Sequence, residues 1–331
     1  MPDNSLLSNI LLPFTFFSLT FILIFALVLD YFLGEPKKYH QLVGFGNLAN
    51  KLERILNKPH QQNERFSVSN AMLGAIAWCL LILPICYLFY YLLAILPLSL
   101  QYIIEALFLY LAIGLNSLNA HAVQVFTPLA QGDLATARHY TGYLVSRETA
   151  NLTPNEMSRA TVESILENGH DAVIASLVYF IIGGIPLVIL HRLANTLDAM
   201  WGYRTSRFKS FGFFAARADD ILGFISGKIC TLLYALQQPF VLALKNAYQQ
   251  GNQYKSHNGG WVMAAGATVM KRTLGGCALY HGKTVCLPTL GTGCPISMDD
   301  IPHSVTIVQR AAILLVLLVF IYQLAIFLYT H

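Results

Sequence analysis

Residues 172–190 read AVIASLVYFIIGGIPLVIL, an uncharged run broken at its centre by Gly183-Gly184-Ile185-Pro186. A bilayer crossing takes about 20 apolar residues, and this run is close to that length. Its centre, however, holds two residues without a Cβ followed by an imino acid, the composition of a helix break. Broken helix at membrane depth is tolerated only where protein covers the freed backbone groups. The stretch therefore reads as a re-entrant helical hairpin that enters and leaves on one side.

Working outward, four further apolar runs are long enough to cross: 6–29, 71–96, 98–118 and 311–329. Only the third carries a charge, Glu105, and Pro84 marks a kink in the second. The first lacks a basic leader and a small-residue cleavage pattern, so it reads as a retained span. A further run, 221–244, contains Lys228, Gln237, Gln238 and Pro239 and reads as a broken or surface-lying helix. The chain of 331 residues is 55% hydrophobic and 11% charged, where a soluble domain carries about 25% charged residues. Its mean hydropathy is +0.54. The expected fold is a single all-α integral membrane domain over 1–331, with four transmembrane helices, the hairpin, and a catalytic region over 119–310.

Lys and Arg set the orientation. None precedes Asp30, lies between Pro97 and Leu118, or follows Arg310. Four spans with both ends outside put every basic residue in the cytoplasm. A six-span alternative exposes the basic residues of 191–220 on the other side. A net charge of +4 with no basic, aromatic-laced stripe argues against nucleic acid. The six cysteines, including Cys277, Cys286 and Cys294 in one loop without zinc-ligand spacing, are expected as reduced thiols. The histidines show no paired metal spacing, and structural or solvated roles are expected for them. Gly276 to Thr284 leaves five residues before Gly-Lys-Thr, which excludes a standard P-loop.

Charges are scarce, so their clustering carries information. Thr153-Pro154-Asn155-Glu156 is a helix start with a capping box and Pro at the first helical position. On that helix Arg159, Glu163 and Glu167 share a face, with Asn168 after them and Asp171 at the hairpin mouth. Ionisable groups bordering a membrane-depth segment are functional candidates. The return arm brings Arg192, Asn195 and Asp198, followed by Arg204, Arg207, Lys209, Arg217, Asp219 and Asp220. Carboxylates with an amide suit magnesium, and Arg with Lys suits phosphate. A basic patch facing lipid headgroups would explain the cations but not the interleaved Asp pair.

Several elements together resemble one family. They are Glu163-Ser164, Glu167-Asn168 and Asp171; Asn195-Thr196-Leu197-Asp198 with Gly202-Tyr203-Arg204; Ala216-Arg217-Ala218-Asp219-Asp220; Ser256-His257-Asn258 with Trp261; and Ser297-Met298-Asp299-Asp300. In this order they resemble the CobD/CbiB family, adenosylcobinamide-phosphate synthases of cobalamin biosynthesis. Gly34-Glu35-Pro36, where the family has Gly-Asp-Pro, departs from the pattern, as does the absence of the two prolines of the following element.

The resemblance implies ATP-dependent joining of adenosylcobyric acid to (R)-1-aminopropan-2-ol or its O-phosphate. ATP and Mg2+ are the implied cosubstrate and cofactor, and the corrinoid the substrate. It implies catalytic roles for Glu163, Glu167, Asp171 and Asp198, and metal contacts from Asp219 and Asp220. Arg147, Asn168, Asn195, Arg204, Arg207, Arg217 and Asn258 would bind substrate or ATP. The implied location is the bacterial inner membrane, multi-pass, with a cytoplasmic catalytic face; other corrinoid-pathway enzymes are possible partners. The competing readings are a non-enzymatic AmpE-like signalling protein and a transporter. No inverted repeat supports the latter.

Overall fold

In a computed structural model the apolar runs fold as helices, because only intrasegment hydrogen bonding satisfies the backbone within lipid. The structure describes residues 16–35, 41–57, 66–145, 147–280 and 283–330. The helices are α1 (Ser18–Leu33), α2 (Gln41–Leu56), α3 (Val68–Ala94), α4 (Leu98–Ala112), α5 (Leu115–Ala130) and α6 (Leu134–Leu144). They continue as α7 (Pro154–Asn168), α8 (Ala175–Trp201), α9 (Phe213–Ala235), α10 (Phe240–Gly251), α11 (His257–Val269) and α12 (Asp300–Thr330). A π-helical segment, Gly169–Ile174, joins α7 to α8. The all-α membrane class holds, with 78% of the structure helical.

Four helical runs are long and apolar enough to cross a bilayer: Val68–Ala94, Leu98–Ala130, Pro154–Trp201 and Asp300–Thr330. Three of them overlap the expected spans at 71–96, 98–118 and 311–329, the first ending two residues short at Ala94. The expected first span, 6–29, is represented by the shorter apolar helix α1; residues 6–15 of that expectation lie outside the described residues. The remaining run, Pro154–Trp201, contains the expected hairpin.

That run is folded back on itself. Gly183 (φ −159°, ψ 26°) and Gly184 (φ 64°, ψ −158°) leave helical geometry, and Gly184 takes a positive φ that a Cβ would disfavour. Pro186 stands in the first turn of the return arm, where a missing N–H costs nothing. Along a straight helix Asp171 and Arg192 would lie about 30 Å apart. Instead Arg192 Nη1 reaches the Asp171 carbonyl at 3.4 Å, and the Tyr179 and His191 rings stack at 5.1 Å. The tip meets the middle of α4: a Cβ built on Gly184 would lie 3.6 Å from Glu105 Oε1. Glu105 therefore faces the protein at the hairpin tip.

At its base, α7 begins as its sequence dictates. Thr153 accepts from the Glu156 amide and Glu156 accepts from the Thr153 amide, a closed capping box. The 221–244 region breaks as expected, with α9 ending at Ala235 and α10 starting at Phe240.

One element is an addition to the all-helical expectation. β1 (Arg272–Tyr280), β2 (Lys283–Gly291) and β3 (Cys294–Pro295) form a small sheet in the order β2-β1-β3. β1 and β2 are antiparallel, with a register shift between Leu274 and Gly276. Cys277 and Cys286 face each other in that ladder and are disulfide-bonded, which corrects the expectation of six reduced thiols. A nine-residue separation is silent about pairing until the hairpin register sets the two side by side. Cys79, Cys86, Cys230 and Cys294 are free.

The buried apolar residues form two clusters. One centres on α7, α11, α12 and the outgoing arm of the hairpin, with Met157, Ile165, Leu177, Tyr234 and Ile301 in its interior. The other packs the return arm against α2 and α3 through Leu193, Leu197, Trp201, Phe45, Trp78 and Phe211. The hairpin base, between the clusters, is where the polar residues gather.

Candidate active site

The π segment sets the site's first residues. Widening the helix by one residue per turn changes which face each side chain presents, and such segments recur at functional sites. Here it buries His170 and turns Asp171 beside it, with Asp171 Oδ1 2.7 Å from His170 Nδ1. His170 Nε2 lies 2.9 Å from Ser226 Oγ on α9, so carboxylate, imidazole and hydroxyl form a chain whose imidazole and hydroxyl are buried and whose carboxylate is partly exposed. The ring lies beside Gly223 and Gly227 of α9, where a Cβ on either would stand 3.6–3.7 Å from the imidazole, at ordinary contact distance. Sequence reading assigned His170 no special role. The only signal was its adjacency to Asp171, and a partner 56 residues away is invisible without the fold.

The return arm supplies Arg192, Asn195 and Asp198, and α9 supplies Asp219. Asn195 Nδ2 donates to Asp219 Oδ1 at 3.3 Å. Burial, then repulsion from the Asp171 and Asp198 carboxylates, pushes the Asp219 carboxyl up to about 8; the Asn195 hydrogen bond opposes this. Asp171, Asp198 and Asp219 thus share one acidic locus at the hairpin base.

Asp219 and Asp220 are not brought together. Adjacent helical residues point apart, and Asp220 turns outward to Arg217, 3.6 Å away, with both side chains exposed. Among the described residues, no group of three or more His, Cys, Asp or Glu is assembled tightly enough to hold a metal ion alone. Magnesium keeps several waters and takes one or two carboxylates plus substrate phosphate. Asp219 with the Asn195 amide beside it, and a second carboxylate of this locus, fit that mode.

Glu163 lies elsewhere and is occupied. It pairs with Arg147, both side chains under 10% exposed, and Glu163 Oε1 accepts the Gly275 N–H at 2.9 Å. Gly275 sits at the irregularity of β1 with φ +82°, which frees its amide from the ladder. Arg159, on the same face, donates to the Cys277 carbonyl at 3.0 Å. This face of α7 therefore splits, its first two charges fastening the β-hairpin.

Glu167, one turn on, lies against the N-terminal turn of α11; a Cβ on Gly259 would stand 2.5 Å from its Oε1. Asn258 Nδ2 reaches across to the Asp220 carbonyl at 2.9 Å. Asn168 turns back to the Ser164 carbonyl at 2.8 Å.

The loop after the return arm forms a basic pocket of about 90 Å³ lined by Tyr203, Arg204, Lys209, Arg217 and Asp220, with Gly202 and Gly212 in its floor. Arg207 is outside it, gripping Glu53 of α2 at 2.5 and 3.0 Å and covering the Phe208 ring. Past α9's first turns, Lys228 Nζ lies 2.8 Å from the Trp261 ring centroid and 3.3 Å from His257 Nε2. Burial lowers the Lys228 amine to about 8.

The fold and this geometry can be set beside known proteins. A family model described as CobD/Cbib protein matches residues 23–308. The "Cobalamin biosynthesis protein CobD" of Stutzerimonas stutzeri (strain A1501) is 44% identical over 283 residues, covering 86% of this chain and 91% of that protein. Its namesake from Chromobacterium violaceum is 43% identical over 285 residues, covering 86% and 90%. The one from Halalkalibacterium halodurans is 34% identical over 314 residues, covering 92% and 96%. No solved structure matches. With a match that spans the hairpin, the acidic locus and the basic pocket together, the chain belongs to the CobD/CbiB family of cobalamin-biosynthesis proteins.

Proposed function

We propose that this cobalamin-biosynthesis protein is an ATP-dependent amide ligase. It would join the free propionate of adenosylcobyric acid to the amine of (R)-1-aminopropan-2-ol or its O-phosphate, giving adenosylcobinamide or its phosphate. One observation carries the reading: the Asp171–Asp198–Asp219 locus, with Asn195 among it, adjoins a pocket walled by Arg204, Lys209 and Arg217. Oxygen donors beside guanidinium and ammonium groups are what a nucleoside triphosphate and its cation require.

A carboxylate is a poor electrophile, so its oxygen first attacks the γ-phosphorus of ATP. ADP leaves and an acyl phosphate remains. The free amine then attacks the acyl carbon, phosphate leaves, and the nitrogen gives up a proton. Asp219, with one further carboxylate of this locus, would hold magnesium, largely through water; the ion would supply charge neutralisation on the phosphates. Arg204 and Arg217 orient the phosphates. Glu167, beside Asn258 and the α11 terminus, is placed to take the ammonium proton. Glu163 and Arg147 hold the β-hairpin that closes this side. The positive-inside bias favours a cytoplasmic face of the inner membrane, where soluble ATP is available.

The test is a reconstitution. Purified protein with ATP, magnesium, adenosylcobyric acid and aminopropanol phosphate should form the amide together with ADP and phosphate. Asp219→Asn and Glu167→Gln should abolish product and growth on cobyric acid while sparing growth on cobinamide. No product from folded protein, with growth unchanged in both variants, would reject the ligase and leave the AmpE-like reading.

A further inference from the structure

His170 is buried, and both of its ring nitrogens are engaged. Nδ1 lies 2.7 Å from Asp171 Oδ1 and Nε2 lies 2.9 Å from Ser226 Oγ. Ser226 is buried as well, whereas the Asp171 side chain is 30% exposed. The contacts therefore run from the protein interior out to a carboxylate that a ligand can reach. An ionised carboxylate accepts and does not donate, so Nδ1 carries the proton. In the neutral ring Nε2 then accepts from the Ser226 hydroxyl, which fixes both the tautomer and the tilt of the imidazole.

The backbone beneath is held too. Neighbouring side chains on an α-helix do not face each other. The wider turn of Gly169–Ile174 sets His170 and Asp171 side by side. That segment is pinned from two directions. The Gly114 N–H, between α4 and α5, donates to the Ala172 carbonyl at 3.2 Å. On another side Gly169 meets α9 and α12 so closely that a Cβ would stand 2.7 Å from Tyr234 Oη and 2.5 Å from Val308 Cγ2.

Helix α9 ties this chain of contacts to Asp219. Asp219 and Ser226 both lie on α9, at i and i+7, a spacing that keeps two residues on one helix face. One helix face thus carries Asp219 directly and supports Asp171 through Ser226 and His170. Of the two carboxylates that raise Asp219, Asp171 acts more strongly than Asp198. Asp198 is turned to the loop instead: a Cβ on Gly202, in the floor of the basic pocket, would stand 2.0 Å from its Oδ1.

We propose that His170 is a positioning residue: the Ser226–His170 pair holds one oxygen of Asp171 so that the carboxylate is presented, beside Asp219, as the second carboxylate for the nucleotide-bound magnesium. The identity of that ligand rests on the ligase reading above. What the imidazole supplies is orientation. A carboxylate free to rotate loses that freedom when an ion binds, whereas one already held does not.

The full chain, purified in non-ionic detergent, is titrated with Mn2+ in the presence of adenosine 5′-(β,γ-imido)triphosphate, which cannot transfer its terminal phosphate. Free Mn2+ is read by electron paramagnetic resonance. The natural protein should bind one ion per chain. His170→Leu should weaken that binding about tenfold or more, the effect of removing the hydrogen bond that orients a metal-binding carboxylate. Two amides separate orientation from packing. An Asn nitrogen falls where Nδ1 stands and a Gln nitrogen where Nε2 stands. His170→Asn should therefore stay within about threefold of the natural protein, while His170→Gln falls with His170→Leu. Elution volume and circular dichroism report folding, and the contrast between Asn and Gln decides if His170→Leu misfolds. Amide formation is measured on the same preparations. Equal Mn2+ binding by folded His170→Leu or His170→Gln overturns the positioning role, and product from the natural protein then leaves the ligase standing. A loss in His170→Asn as large as in His170→Gln overturns it as well. A natural protein that binds no Mn2+ overturns it whether or not product forms; with product also absent, the ligase reading falls too.

Discussion

Glu163→Ala separates the structural from the chemical carboxylates. In the folded protein Glu163 makes two buried contacts, one to the Arg147 guanidinium and one to the Gly275 N–H at 2.9 Å. Removing the carboxylate leaves a guanidinium under 10% exposed without its counter-charge. Breaking one side of a buried pair costs about 3–5 kcal/mol. The orphaned amide adds about 1–3 kcal/mol when it cannot reach water. The two sites share one carboxylate and relax together, so the expected loss is about 4–6 kcal/mol rather than the full sum. Unfolding of the detergent-solubilised protein by a denaturant titration, followed by tryptophan fluorescence, reads this directly. The pair variant Arg147→Met with Glu163→Leu should recover most of it, leaving about 1–3 kcal/mol for the Gly275 amide. Per folded molecule, Glu163→Ala should keep the proposed amide formation within about tenfold of the natural protein. A cost below about 1 kcal/mol, or complete loss of product with unchanged stability, would refute the assignment of Glu163 as a fastening residue.

Three further outcomes follow from the same geometry. Burial and the charges of Asp171 and Asp198 hold the Asp219 carboxyl at about 8, against an unfolded value of about 3.9. Between these limits the folded state binds more protons, so stability falls as pH rises from about 4 through 8; Asp219→Asn should flatten that slope, and added magnesium should stabilise the natural protein at pH 8 but not the variant. Lys228, with its amine lowered to about 8 by burial, should be acylated by acetic anhydride at pH 7.5 ahead of the other lysines, and Trp261→Ala should remove that lead by readmitting water; peptide mapping that shows no early label at Lys228 contradicts the burial. Alkylation in denaturant without reductant should modify Cys79, Cys86, Cys230 and Cys294 but leave a Cys277–Cys286 cross-linked peptide, and finding both as free thiols would refute the pairing.

Some of this was legible before any fold was known. Hydropathy marks the long apolar helices because the bilayer admits little else, and the Gly183-Gly184 break marks the hairpin because two residues without a Cβ followed by a proline interrupt the run at its centre. The Thr153–Glu156 capping box is a local code, and the structure closes it as written. The candidate acidic residues could be collected as charges bordering membrane-depth segments. What each one faces could not. Glu163 and Glu167 have the same spacing and side chain, yet one fastens a strand while the other abuts α11, because contacts to Gly275 and Gly259 arise from segments about 100 residues distant. Asp219 and Asp220 look like a pair in sequence and point apart on a helix.

By itself the sequence determined that this is a helical membrane protein, since composition and periodicity are local quantities that a bilayer reads directly. Tertiary structure alone decided that Asp171, Asp198 and Asp219 share a locus, that His170 bridges Asp171 to Ser226, that Cys277 meets Cys286, and that Arg192 lines an otherwise apolar cavity. Each of these depends on how far the chain turns at Gly184, widens at Gly169–Ile174, or shifts register at Gly275. A small backbone change there reassigns every partner downstream, which is why no residue's own chemistry announces it.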